Sequence, residues 1–195
     1  MSRRFAFLSA VALGALAITA SVVAPATAED KKMMKSELSG EKTVMVGGAA
    51  MFPSKNIIQN AVNSKDHTTL VAAVKAAGLV ETLEGKGPFT VFAPTNAAFG
   101  KLPAGTVDTL VKPENKATLT KILTYHVVAG KLEASDLTDG KKLKTVQGEE
   151  LTVKRSGDTV MIVDSKGGSS TVTIPNVNQS NGVIHVVDTV LMPAS

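Results

Sequence analysis

Residues 182–193 read GVIHVVDTVLMP, and apolar side chains run almost without interruption from Val183 to Leu191. A strand with one face in water alternates apolar and polar residues, whereas a strand covered on both faces stays apolar. The pattern therefore predicts that Val183–Leu191 is a central strand of a sheet. Because side chains alternate across a strand, His185 and Asp188 point to opposite faces and cannot form a catalytic dyad.

Shorter strands are predicted immediately before this one. Glycine-containing turns at Ser156–Asp158, Gly167–Gly168 and Asn181–Gly182 separate them. The predicted strands are Leu143–Val146, Leu151–Arg155, Thr159–Val163 and Ser170–Ile174. Closely spaced strands joined by tight turns predict a mostly antiparallel sheet in the C-terminal third of the chain.

The preceding part of the chain has helical spacing of its apolar residues. The predicted helices are Asn56–Asn63, one from Thr68 or Thr69 to Gly78, residues 80–84, Ala104–Val111, and one beginning at Pro113 with Leu119, Ile122 and Leu123 on its inner face. Glycine at position 78 fits a helix C-terminus, because it adopts the left-handed conformation without strain. Helices followed by a mostly antiparallel sheet predict an α+β fold.

One further strand is predicted among the helices, in the segment GPFTVFAPTNAAF at residues 87–99. Phe89–Ala93 is short and apolar, and Pro94 ends the strand. Thr95 or Asn96 is then a candidate N-cap for a short helix, since both side chains can accept a hydrogen bond from a helix backbone N–H.

The N-terminus has the features of a secretory signal peptide over residues 1–28. Arg3 and Arg4 precede the uncharged stretch Phe5–Val23, and Ala26–Ala28 supplies a small-x-small cleavage pattern. The alternative is a retained membrane anchor, but the apolar run is short and rich in alanine for a bilayer span. We expect cleavage after residue 28, no membrane span in the mature chain, and a secreted or periplasmic location.

Residues 29–53 show no clear period and are expected to form a flexible extension. The compact domain is therefore assigned to residues 54–193. No internal repeat is visible in that range.

Charge and cysteine content limit the class of protein. The formal charge of the full chain is +4, and loss of Arg3 and Arg4 with the signal peptide lowers it by two. Nucleic acid is therefore not an expected partner, because its binding proteins concentrate basic charge on one face. The chain has no cysteine, so an exported form would depend on its apolar core rather than on disulfides.

Three segments resemble the signature blocks of the fasciclin-like domain family. They are Thr90–Phe99 (TVFAPTNAAF), Leu123–Val128 (LTYHVV) and Gly182–Pro193, in the family's order and at about its spacing. The resemblance extends over residues 54–193. It implies a twisted β-wedge or sandwich with helices packed on one side, and a role in cell–cell or cell–matrix adhesion.

The resemblance also assigns roles to particular residues. It implies structural roles for Thr90, Phe92, Pro94, Thr95, Asn96, Phe99, His185 and Asp188. It nominates Leu123, Tyr125, His126, Val127 and Val128 as partner-binding residues, with a packing motif at a helix-to-strand junction as the alternative. The sequence departs from the family at two positions: Asn96 stands where aspartate is frequent, and His67 where an aromatic residue is common. His67 follows polar residues and is expected to face solvent.

Motifs of the common enzyme classes are absent from the sequence. It contains no G-x-S-x-G nucleophile elbow, no H-E-x-x-H zinc helix, no complete P-loop and no calcium loop. We therefore expect no catalysis, no cofactor and no metal. The resulting hypothesis is an exported adhesion module that binds a cell-surface protein or polysaccharide. The alternative is a periplasmic small-ligand-binding or stress-related protein, with a pocket between helices and sheet.

Overall fold

The computed structural model describes residues 42–194. The predicted signal peptide and the first part of the predicted extension lie outside these residues. The described strands are β1 Val44–Val46, β2 Ala49–Met51, β3 Phe89–Pro94, β4 Val127–Ala129, β5 Lys142–Lys144, β6 Glu150–Ser156, β7 Thr159–Val163, β8 Ser169–Gln179 and β9 Gly182–Val187. The helices are α1 Ile57–Ala61, α2 Thr68–Ala77, α3 Val80–Glu84, α4 Asn96–Gly100, α5 Thr106–Leu110 and α6 Lys116–Tyr125, with 3-10 turns at Lys65–His67 and Pro113–Asn115.

Seven strands form one sheet in the order β4-β3-β9-β8-β7-β6-β5. Only β3 and β9 pair in parallel; the other neighbours are antiparallel. The two outermost strands approach each other, and an isolated bridge joins Val128 to Thr145. The sheet is therefore curled nearly into a barrel. Helices followed by a mostly antiparallel sheet confirm the predicted α+β class.

Strand β9 lies between β3 and β8, and all six of its residues are buried. It ends at Val187 rather than at the predicted Leu191. The change comes from Asp188, whose backbone N–H donates to Thr171 O while its carboxylate accepts from the N–H of Thr171. Because the Thr171 N–H is bonded to a side chain and not to a strand carbonyl, the regular ladder ends at Val187.

Strand β8 is longer than the sequence predicted. It continues past Ile174 to Gln179 and includes a proline. Two register shifts against β9 interrupt the regular ladder in this part of the strand, and they make room for the proline. Proline is tolerated in a sheet at such irregular positions, where its missing N–H removes no ladder bond. Asn176 in this region has a positive φ of 57°.

The buried side chains form two cores. In the helix-side core, Val91, Ala93, Ile184 and Val186 of the sheet pack against α1, α2, α3 and α6. In the sheet-side core, the alternate residues of the same strands, among them Phe92 and Val187, pack inside the curled sheet. Burial on both faces explains why the sequence of β9 is apolar throughout.

The N-terminal residues correct the predicted domain boundary. Strands β1 and β2 form an antiparallel hairpin, with Val46, Ala49 and Met51 buried in the helix-side core. The expected flexible extension over residues 29–53 is therefore wrong for residues 44–51. Each strand has only three residues, too few for a periodic pattern, and an isolated hairpin needs such packing for its stability.

Candidate functional site

The segment Leu123–Val128 contains the residues nominated for partner binding. It forms the junction between α6 and β4, and the side chains of Leu123, Tyr125, His126, Val127 and Val128 are all buried. This burial favours the alternative interpretation of the segment, a packing motif at the helix-to-strand junction, while the nomination for partner binding stays a prediction. The burial follows from their position, since β4 pairs with β3 and the end of α6 lies over the helix-side core. The arrangement is that of a packing motif.

His126 joins the end of α6 to the C-terminal segment. Leu191 N–H donates to Nε2 at 2.9 Å, so Nδ1 carries the proton and donates to Ile122 O at 2.8 Å. Burial lowers the pKa of His126 to about 4, although the Ile122 carbonyl and Asp164 favour the charged form. The ring is therefore neutral near pH 7, and both of its nitrogens have partners.

Tyr125 crosses the sheet-side core, and its hydroxyl reaches the turn after β7. The N–H of Ser165 donates to this hydroxyl at 2.9 Å, and the Ser165 Oγ lies 3.1 Å away. Burial raises the pKa of Tyr125. The hydroxyl is therefore a protonated structural group that fixes the turn.

His185 lies against Phe92, its partner in the β3–β9 register, with ring centroids 5.7 Å apart. Asn176 N–H donates to Nδ1 at 3.4 Å, so Nε2–H donates to Leu132 O at 2.8 Å. Burial lowers the pKa of His185, against the opposing effects of the Leu132 carbonyl and Glu133. The neutral ring thus connects β9 with the bulge of β8 and the loop after β4.

Asp188 lies on the opposite side of the chain from His185. Burial raises the pKa of its carboxyl group, but hydrogen bonds from Thr171 and Thr189 and the charge of Lys101 outweigh that effect and lower it. The Lys101 Nζ lies 3.4 Å from the carboxylate. The carboxylate holds the end of β9 against β8 and the end of α4.

The segment Thr90–Phe99 also uses its polar groups internally. Thr90 Oγ1 donates to Gly130 O at 2.6 Å, and Thr95 Oγ1 accepts from Ala98 N–H at 3.2 Å. Thr95 is therefore the N-cap of α4. Pro94 ends β3 and Phe99 is buried in the helix-side core.

Asn96 has a role that the sequence did not reveal, because it caps a different helix. Its Oδ1 accepts from the N–H of Thr69 at 3.0 Å, and its Nδ2 donates to Lys65 O at 2.8 Å. The side chain therefore holds the start of α2 against the start of α4. A sequence pattern contains no information on such a pairing between helices 27 residues apart.

His67 does not face solvent, which corrects the prediction. Its side chain is only 3% exposed, and its Nδ1 lies 2.9 Å from Ser64 Oγ. The 3-10 turn at Lys65–His67 directs the ring inward while Lys65 and Asp66 remain exposed. His67 lines an apolar cavity between the helices and the sheet, and no local pattern predicted this.

A small apolar pocket of about 20 Å³ lies next to the Tyr-His segment, with Val146 at its exposed margin. Val146 is 45% exposed, and its N–H donates to Val127 O at 2.7 Å. We call this surface the Val146 groove; its lining residues are Leu79, Thr82, Leu83, Phe89, Thr124, Val127 and Val146. The groove thus gives access to the surface beside the Tyr-His segment, whose side chains at Leu123, Tyr125, His126, Val127 and Val128 are buried.

The polar groups of the signature segments form hydrogen bonds within the fold. Each of His126, His185 and Asp188 is bound to a separate part of the fold. Within residues 42–194, no cluster of three His, Cys, Asp or Glu side chains has metal-binding geometry. No helix in this range is long and apolar enough to cross a bilayer. The fold and site define an α+β module whose motif residues hold its framework together.

Comparison with known proteins agrees with that class. The family model "Fasciclin domain" matches residues 65–193. The chain belongs to the fasciclin domain family, which is associated with cell adhesion and surface proteins.

Individual relatives come from bacteria. Protein sll1483 of Synechocystis is 49% identical over 153 residues, which cover 78% of this chain and 82% of that protein. The cell surface glycolipoprotein MPB83 of Mycobacterium bovis is 40% identical over 153 residues, covering 76% of this chain and 64% of that protein.

The fold also matches a solved structure, a FAS1 domain pair from the insect cell adhesion molecule Fasciclin I. The TM-score is 0.64 at 19% identity, covering 72% of this chain and 52% of that chain. At this identity the match shows a shared fold.

Proposed function

We propose that the chain is an exported interaction module that binds a cell-surface protein through the Val146 groove, without catalysis. The family's association with adhesion and surface proteins supports this proposal, and one relative is a cell surface glycolipoprotein. The predicted signal peptide at residues 1–28 supports export.

The observation that carries the proposal is the contrast between the buried motif and the exposed groove beside it. Tyr125 is fully buried, whereas Val146, next to Val127, is 45% exposed. Among the described residues, the other large apolar side chains with comparable exposure are Met45 and Val62. An exposed apolar side chain beside partly buried apolar neighbours offers an anchor point for the apolar side chain of a partner protein.

The lining of the groove favours a protein over a polysaccharide as the partner. Five of its seven residues are aliphatic or aromatic, and the two threonines supply its side-chain polar groups. An apolar anchor from a partner protein would bury against Leu79, Phe89 and Val146, in the way that most interface energy arises. A polysaccharide would need more hydrogen-bonding groups than this groove offers.

The proposal that the protein is not a catalyst is supported by the environment of its three histidines. The three histidines are buried, and burial lowers the pKa of each. His126 and His185 have partners on both ring nitrogens within the fold. A general acid or base must instead reach a bound substrate.

The test is Val146→Asp, measured as binding of the mature protein to immobilised cell-envelope proteins by biolayer interferometry. We expect at least about tenfold weaker binding, because a charge enters the centre of an apolar contact. The matched control is Met45→Asp, which places the same charge on an exposed methionine of the hairpin and should bind as the wild type.

Unchanged binding by a folded Val146→Asp variant would rule out the groove as the site. If protease treatment of the envelopes left binding intact and glycosidase treatment removed it, the partner would be a polysaccharide and the protein assignment would be wrong.

A further inference from the structure

Strands β4 and β5 are the two ends of the seven-stranded sheet, and they meet at one point. Within residues 42–194, the bridge between Val128 and Thr145 joins them. Beyond the bridge, an open gap of about 410 Å³ lies between the two strands. This volume is within the range of about 300 to 1,000 Å³ that ligand pockets in proteins occupy.

Hydrogen bonds hold the gap open on the side of β4. Thr90 Oγ1 donates to Gly130 O at 2.6 Å and accepts from Leu132 N–H at 2.9 Å. Ala134 N–H then donates to Asn176 Oδ1 at 2.7 Å. These bonds direct the chain after β4 toward β3 and β8, so it does not continue beside β5.

The edge of β5 that faces the gap has backbone groups outside the β5–β6 ladder. Thr145 N–H donates to Glu149 O at 3.0 Å, and Val153 N–H donates to Lys141 O at 2.7 Å. In an antiparallel pair, the backbone groups of successive residues point to opposite sides. Every second residue thus bonds to β6, and the N–H and C=O of Lys142 point into the gap instead.

The side chains around the gap have two kinds of chemistry. The floor is apolar and packs with the sheet-side core: Val128, Leu132 and Leu143. The rim is basic: Lys141, Lys142 and Lys144. In the part of the chain that the structure describes, no acidic side chain lines the gap.

The charges of these lysines are little compensated within the fold. Lys142 Nζ lies 3.3 Å from the Glu150 carboxylate, but both side chains are more than half exposed, so this ion pair contributes little. Lys141 Nζ donates to Asp136 O, a neutral acceptor. Lys144 forms no ion pair with any of the described residues. The rim therefore favours an anionic partner.

We propose that the gap is a docking site for an extended, acidic segment of a partner protein, which adds to the edge of β5 as an extra strand. Its backbone pairs with the N–H and C=O of Lys142, as in other cases of strand addition. Because side chains alternate across a strand, its inward residues are apolar and contact Leu143, and its outward residues are acidic and lie beside Lys142 and Lys144. A second copy of this chain does not fit, since pairing of two such edges would place like charges together. The site is separate from the Val146 groove, and the proposal does not rest on the proposed adhesion function.

The test uses the peptide TEVEVET, in which acidic and apolar residues alternate, and its isomer TEEVVET, in which they do not. Each is titrated into the ¹⁵N-labelled mature protein at pH 7.5 and low salt and followed by amide chemical shifts. We expect TEVEVET to shift the amides of residues 128–132 and 141–145. It should bind at least about fivefold more tightly than the isomer, which cannot place all its acidic residues outward while its backbone is paired.

Two substitutions at one position separate the backbone contact from the charge. Lys142→Pro and Lys142→Ala both remove the ammonium group, but only proline also removes the N–H that faces the gap. Proline is tolerated at such an edge position because this N–H is not part of the β5–β6 ladder. We expect Lys142→Pro to bind TEVEVET about fivefold more weakly than Lys142→Ala, the usual net contribution of one neutral hydrogen bond.

The charge of the rim is tested by Lys144→Glu, which should bind TEVEVET at least about tenfold more weakly because it places like charges together. The matched control is Lys121→Glu, which reverses an exposed lysine on α6 and should bind as the wild type.

Any of four results would overturn the proposal. One is no shift of residues 141–145 at millimolar TEVEVET. A second is equal affinity for the two peptides, which would show charge attraction without strand pairing. A third is equal binding by folded Lys142→Pro and Lys142→Ala. The fourth is tighter binding of an oligogalacturonate than of TEVEVET, which would make the occupant an anionic polysaccharide.

Discussion

The three histidines of the chain are buried, and burial is the largest influence on the pKa of each. A buried neutral histidine resists protonation, whereas the same side chain in the unfolded chain titrates near pH 6.5. The unfolded state therefore binds more protons than the folded state as the pH falls below 6.5. By linkage, folding stability decreases over that range.

For His126, the pKa of about 4 in the folded state gives a definite expectation. Its contribution is fully present above pH 6.5 and is lost progressively as the pH falls toward 4. The difference corresponds to about 3 kcal/mol of unfolding free energy. The measurement is urea unfolding of the mature protein at several pH values between 7.5 and 4.

The control for this experiment is His126→Gln, which removes the titrating ring. We expect a lower stability at pH 7.5, because two buried hydrogen bonds change, and a shallower pH dependence, since two buried histidines remain in place of three. Equal slopes in the two proteins would contradict the assigned protonation state. Asp188 does not affect this comparison. Its pKa is lowered from 3.8, so its contribution to folding stability is lost only as the pH falls below the measured range of 7.5 to 4.

At the scale of elements, the fold depends on the close parallel pairing of β3 with β9. Phe89 pairs with Gly182 at the start of the ladder, and a Cβ on Gly182 would overlap the carbonyl oxygen of Phe89. The contact is with backbone atoms, which cannot rotate away as a flexible side chain can. The position therefore requires glycine for close approach.

Gly182→Ala is expected to destabilise the protein by about 3 kcal/mol, since the strands must separate or shift register to admit the methyl group. The measurement is the urea midpoint at pH 7.5. Gly100→Ala, at the end of α4, is the matched control because a Cβ there has no neighbour within 4 Å. Similar midpoints for the two variants would show that β3 and β9 are less tightly paired than described.

The helices meet the sheet through contacts that cross long sequence distances. Asn96 caps α2 from the first turn of α4, and His126 joins α6 to Leu191. Asn60 similarly binds Gln179, which connects α1 with β8. Each of these bonds fixes the position of one element relative to another.

For the whole molecule, stability must come from packing, since the chain has no cysteine. Two cores share the sheet between them, and the bridge between Val128 and Thr145 closes its open side. The hairpin at residues 44–51 adds to the helix-side core from outside the seven-stranded sheet. It is therefore part of the cooperative unit.

This view predicts different stabilities for chains that begin at residue 42 and at residue 54. Removal of the hairpin exposes the cavity wall and loses the burial of Val46 and Met51. We expect a loss of about 3 kcal/mol in unfolding free energy, after the entropy of ordering the hairpin is allowed for. The two chains are compared by urea unfolding, with the mature protein as reference. Equal stability would support the flexible extension that the sequence predicted.

The sequence by itself determined those features whose cause lies within a few neighbouring residues. They include the stop of α2 at Gly78, the start of α4 after an N-cap at Thr95 or Asn96, and the burial of β9 on both faces. Backbone conformation, capping and periodic burial are local properties, so a pattern of adjacent residues predicts them. Together they were sufficient for the α+β class.

Only the tertiary structure decided which side chains remain accessible. Tyr125 and His67 are buried because segments remote in sequence cover them, whereas Val146 stays exposed at the margin of the same motif. The hairpin at residues 44–51 forms because the helix-side core accepts its side chains. These side chains are buried by contacts between elements that are far apart in the sequence, and a pattern of neighbouring residues does not predict such contacts.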